Sequence, residues 1–124
     1  MITVTNPSGT PSVTYNRDGK TIINVTATGG GQSGAATFST DSGWTVVIVT
    51  ASAGGLGVIL PNSADIGDII ELHLTRTDAV MYAYPESGGQ INSNGTNDGV
   101  SFKQATFTKV ADNTWYSLSD VSDS

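Results

Sequence analysis

The chain has 124 residues, a mass of 12.7 kDa, a net charge of −6 and no cysteine. At that length a single domain is expected, and area scaling takes it from ~18,000 Å² of accessible surface unfolded to ~6,200 Å² folded, enough burial for one core. Without cysteine there are no disulfides or thiolate metal sites; the five scattered basic residues (Arg17, Lys20, Arg76, Lys103 and Lys109) argue against nucleic acid, and the acidic balance argues against an anionic membrane surface.

Met1–Thr14 alternates Thr with apolar residues and then carries Pro7, Gly9 and Pro11. Proline removes backbone donors and favours extended chain, so residues 1–14 are read as an N-terminal arm, a first edge strand being the alternative. Its start has neither a basic run nor a long apolar one, so no secretory signal is read there, and no apolar stretch is long enough to span a bilayer. Asn16–Lys20 holds an Asp-Gly pair, a hairpin signal joining Ser12–Tyr15 to Thr21–Thr28. In the second of these strands Ile23, Val25 and Ala27 share one face. Gly29–Gly34 is too glycine-rich for regular structure and reads as a flexible loop. Ala35–Thr40 returns as a strand carrying Phe38.

Trp44–Thr50 is apolar on both alternating faces, the pattern of a strand buried on both sides. In a sandwich one face should be wet, so the second needs a cover. A partner subunit is one candidate, with Thr45, Val47 and Val49 as the residues it would cover. Leu56–Leu60 is the next strand, stopped by Pro61. Asp68–Leu74 alternates, with Ile70, Leu72 and Leu74 inward and Glu71 and His73 outward. Ala79–Tyr84 follows, its Tyr82 and Tyr84 sharing a face and offered as further subunit contacts. Pro85–Gly99 is a polar loop anchored by Ile91. Phe102–Val110 and Thr114–Leu118 complete a domain spanning 15–119, and 120–124 form a short acidic tail. Eight to ten short strands with turns about every ten residues predict an all-β chain, an antiparallel β-sandwich of jelly-roll type with an extended arm. No repeat of 20–50 residues stands out, which argues against a solenoid.

No residue set announces a chemistry. His73 is the sole histidine and lacks a Gly-x-Ser-x-Gly elbow to serve; an outward strand position is the better reading. Asp65, Asp68 and Glu71 crowd seven residues, but one lies in a loop and one starts a strand, so turn and capping roles suit them better than paired-carboxylate catalysis or calcium. Asn92–Gly99 resembles part of a calcium loop, yet the position owed to Glu is Ala105, and the segment reads as a turn. Neither glycine run is followed by Lys-Ser/Thr, so neither holds phosphate. No catalytic residue, metal or cofactor is expected. Trp44, Tyr82, Tyr84, Trp115 and Tyr116 could offer a sugar-stacking face, although Trp115 and Tyr116, being adjacent, point opposite ways.

Leu60-Pro61, Gly67-Asp68, Tyr84-Pro85 with Gly88, Ile91-Asn92 and the closing Thr114-Trp115-Tyr116 recur in an order that resembles the small β-domains of tailed-phage virion proteins. The resemblance covers about Val46–Leu118. It implies a virion location, assembly in the host cytoplasm and a homotrimer. Head-decoration (cement) proteins of this kind sit on the outer capsid and tie neighbouring major capsid subunits together; fibre or spike domains bind receptors, glycans among them. The chain starts with Met, has a sandwich-sized body and lacks coiled-coil heptads, which favours decoration over fibre. The arm, through Ile2, Val4, Pro7 and Pro11, would then lie along the capsid by strand addition. A tail-fibre tip or carbohydrate-binding module is the alternative.

Overall fold

A computed structural model describes residues 3–5, 14–17, 20–40, 43–118 and 122–123. Among them are twelve strands. They are β1 (Thr3–Thr5), β2 (Thr14–Arg17), β3 (Lys20–Thr26), β4 (Trp44–Thr50), β5 (Gly57–Leu60) and β6 (Ile69–Leu74). After these come β7 (Met81–Pro85), β8 (Gln90–Ile91), β9 (Val100–Phe102), β10 (Gln104–Ala111), β11 (Thr114–Ser117) and β12 (Ser122–Asp123). They form an eight-stranded sheet in the order β1-β2-β3-β4-β6-β10-β11-β8 and a four-stranded sheet in the order β12-β9-β7-β5.

The chain is all-β, as its turn spacing predicts, but its sheets are mixed rather than purely antiparallel, and the stacking at their centre is solenoid-like. β3, β4 and β6 run parallel, Lys20 beside Trp44 and Trp44 beside Ile69, so successive passes through the large sheet are 24 and 25 residues apart. Between passes the chain crosses to the small sheet, where β5 and β7 are parallel with Val58 beside Ala83. Ala36 adds an isolated parallel bridge to Val58. The expected absence of a repeat is thereby corrected. Thr21-x-Ile23-x-Val25-Thr26-Ala27 lies in register on Thr45-x-Val47-x-Val49-Thr50-Ala51, and the third pass keeps only its inward pattern, Ile70, Leu72 and Leu74. What repeats is the position of the inward side chain, and sheet packing accepts any branched or apolar residue there.

Antiparallel strands flank this stack. β10 pairs β6 with Ala105 beside Leu72 and Phe107 beside Ile70; β11 pairs β10, and β9 pairs β7. Several segments differ from expectation: β8 lies within the segment read as the loop Pro85–Gly99, and β12 within the segment read as the acidic tail. Phe102–Val110 is not one strand: the chain leaves the small sheet after Phe102 and enters the large one at Gln104. Of Ala35–Thr40, only Ala36 makes a β-bridge. The glycine-rich loop holds one 3-10 turn, Gln32–Gly34, tied by the Thr28 hydroxyl donating to Gly34 O at 2.7 Å and by the Gln32 amide donating to Pro85 O at 3.0 Å.

The core lies between the sheets. Ile23, Val47, Val49, Ile70, Leu72, Phe107, Ile91 and Trp115 meet Val58, Leu60, Met81, Ala83, Val100 and Phe102 in one cluster. Val47 and Val49 are 0% exposed and Thr45 is 1% exposed in the lone chain. That corrects the assignment of these three residues to a subunit interface: strand alternation turns them inward, where the small sheet covers them. The accessible surface of 6218 Å² is what scaling predicts for a self-sufficient domain of this mass.

Two buried charged residues fasten the loop between β5 and β6. The Asp68 carboxylate accepts the backbone N–H of Gly43 and of Asp65, each at 2.9 Å. The Lys109 ammonium donates to the carbonyls of Asn62 and Ala64, each at 2.7 Å. Charge-assisted bonds of this kind supply the donors and acceptors that an irregular loop lacks. At the far edge of the large sheet, β1 pairs β2 with Val4 beside Tyr15, while Ile2, Pro7 and Pro11 lie outside the described residues.

Candidate interaction surface

Strand alternation leaves Lys20, Ile22, Asn24 and Thr26 of β3 on the outer face of the large sheet. The same face continues across β4 with Trp44, Val46, Ile48 and Thr50, and across β6 with Ile69, Glu71 and His73. Pairing sets these residues in rows: Lys20, Trp44 and Ile69; Ile22, Val46 and Glu71; Asn24, Ile48, His73 and Gln104. Ile22 is 40% exposed, and Trp44, Val46, Ile48 and Ile69 are half-buried. So the second apolar face of Trp44–Thr50 exists, but it is the face carrying Trp44, Val46 and Ile48.

A polar chain crosses the same face. The Lys20 ammonium lies 4.4 Å from the centre of the Trp44 ring. The Trp44 indole N–H donates to Glu71 Oε1, Glu71 Oε2 lies 3.0 Å from His73 Nε2, and His73 Nδ1 meets Gln104 Oε1. Both nitrogens of the ring thus face acceptor oxygens, which leaves neither free to act as a base on a substrate. Burial alone pushes the His73 pKa down; the hydrogen bonds to Glu71 and Gln104 and the Glu71 charge outweigh it, and the pKa lies above its ordinary value.

The three clustered carboxylates do not converge. Asp68 is buried on its two backbone donors, Glu71 faces outward into the network just described, and Asp65 is exposed in the loop. Among the described residues no group of His, Asp and Glu is arranged to hold a metal. The Asn92–Gly99 segment is built of turns, with Asn92, Ser93 and Asn97 at positive φ, and the Asn92 side chain bridges to Ser117 at both its backbone N–H and its hydroxyl. No helix among the described residues is long and apolar enough to cross a membrane.

Tyr82 and Tyr84 lie half-buried on the outer face of the small sheet, ring centroids 6.2 Å apart. The Tyr84 ring fits between two glycines: a Cβ on Gly57 would stand 2.7 Å from its Cε2 and one on Gly99 2.6 Å from its Cε1. Paired Gly57→Ala and Gly99→Ala substitutions are therefore expected to cost about 1–3 kcal/mol by overpacking. In a Tyr84→Ala background the same two substitutions should cost little; a thermal-denaturation cycle in which the terms simply add would show that the ring does not need the gap. Trp115 is sealed in the core and Tyr116 is exposed, so the five aromatics do not form one platform.

The sequence signals for the outer network were individually weak. Glu71 and His73 were legible as outward by alternation, but Trp44 and Gln104 come from strands 27 and 31 residues away from their partners. No protein-family model matches the chain, and no curated protein matches it.

Proposed function

We propose that this chain is a structural virion protein of the head-decoration kind, which associates with copies of itself as a homotrimer and with the major capsid protein. The observation that carries the reading is the outer face of the large sheet, where Ile22, Trp44, Val46, Ile48 and Ile69 lie in adjacent rows on a chain with only 13% charged residues. Apolar side chains gathered on an outer sheet face, interspersed with Lys20, Asn24, Glu71 and His73, suit a protein contact. In this reading the solenoid-like stack of mixed sheets takes the place of the jelly roll, and the outer face of its large sheet is the surface that packs on a neighbour. The role is mechanical: modest contacts, linked through a trimer, act together at high effective concentration on a capsid lattice. Light scattering should give three times 12.7 kDa, and the protein should co-sediment with capsids of its own phage. A monomer at all concentrations, with no capsid retention, would overturn the proposal.

The Tyr82–Tyr84 pair supports a second reading, a glycan-binding tip, since neighbouring half-exposed tyrosines on a sheet face can stack on sugar rings. Binding on a glycan array that is lost in Tyr84→Ala, from a chain that remains monomeric, would favour it over decoration.

A further inference from the structure

We propose that His73 makes association through the outer face of the large sheet pH-sensitive: as an imidazolium it cancels the Glu71 charge, so that copies pack on this face with uptake of a proton wherever the ring was neutral. The inference rests on the self-association reading above.

The geometry sets the requirement. Glu71 sits in the middle of the apolar rows, between Val46 on β4 and Thr106 on β10. A second copy covering Ile22, Val46 and Ile48 also removes water from this carboxylate, and a carboxylate taken out of water needs a charge partner and hydrogen bonds. It has the bonds, from the Trp44 indole and His73 Nε2. The groups around it offer one switchable charge. β4 faces the ring with Ile48 and contributes Trp44, neither of which titrates in the working range. β10 contributes Gln104, and the neighbouring Lys103 ammonium reaches away to Thr77 O. On β3, Asn24 is in the same row, and Lys20 lies over the Trp44 ring. Beyond the strand end, Arg76 and Asp78 are paired with each other. Asp68, just before β6, and Lys109, on the inward side of β10, are buried against the loop between β5 and β6. His73 is thus the group whose protonation decides whether Glu71 is compensated.

The second nitrogen supplies the other half of the device. With Gln104 Oε1 and Glu71 Oε2 as acceptors, the ring donates from both sides only when doubly protonated. A neutral ring keeps one of these bonds and needs the Gln104 amide to turn over to keep the other.

Because the chain has a single histidine, its ring resonances report His73 alone. The test is an NMR titration of the dilute monomer together with sedimentation equilibrium at pH 6 and pH 8.5, on the wild type and on His73→Gln. Wild-type association should weaken as pH rises, approaching tenfold per pH unit for each proton taken up. His73→Gln should associate with little pH dependence, and the monomer's ring should titrate above pH 6.5. Association that is equally pH-dependent in His73→Gln, or pH-independent in the wild type, would overturn the proposal while leaving self-association standing. A chain that never associates removes the self-association reading itself, and His73 then controls no interface.

Discussion

Val47→Asp is expected to leave no folded protein. Val47 is wholly buried in the middle of β4, between Ile23 and Leu72 in the large sheet and under the small sheet. A carboxylate placed there has no cation and no donor within the core, and its burial costs more than about 4 kcal/mol, a large share of the roughly 5–15 kcal/mol that holds a domain of this size together. Ile48→Asp, one residue along, is the informative contrast. Its side chain points to the outer face, so the fold should survive with a loss of about 1 kcal/mol or less while self-association is abolished. Circular dichroism during heating, paired with light scattering, separates the two outcomes. If Val47→Asp stays folded and merely loses its partners, the assignment of inner and outer faces is reversed.

Asp68→Ala should lower stability by about 3 kcal/mol, or roughly 10 °C in Tm, without touching the hydrophobic core. The carboxylate gives one oxygen to Gly43 N–H, where the chain enters β4, and the other to Asp65 N–H in the loop after β5. Removing it orphans two backbone donors at a buried site, and each such donor costs about 1–3 kcal/mol. Asp68→Asn retains one acceptor oxygen and should fall between the wild type and Asp68→Ala. Equal melting temperatures for all three proteins would mean that these donors find water instead, and that the loop does not depend on Asp68.

Much of the local structure was legible because it depends on neighbours in sequence. Alternation placed Ile70, Leu72 and Leu74 inward and Glu71 and His73 outward, and adjacency forced Trp115 and Tyr116 onto opposite faces. Turn chemistry located Asn92–Gly99, where three side-chain-bearing residues take positive φ. Trp44–Thr50 resisted the same logic. When both faces of a strand are apolar, alternation gives two faces but no sign, and only the position of the small sheet decides that Val47 is core and Ile48 is surface.

Sequence by itself therefore determined the all-β class, the places where the chain turns, and the absence of cysteine chemistry. Tertiary structure alone decided strand direction, the 24- and 25-residue stacking of β3, β4 and β6, and the meeting of Trp44, Glu71, His73 and Gln104 on one surface. The reason is physical: side-chain alternation and turn preference are local energies, whereas pairing between distant strands depends on which apolar faces close together over a shared core, and many residues satisfy that condition equally well.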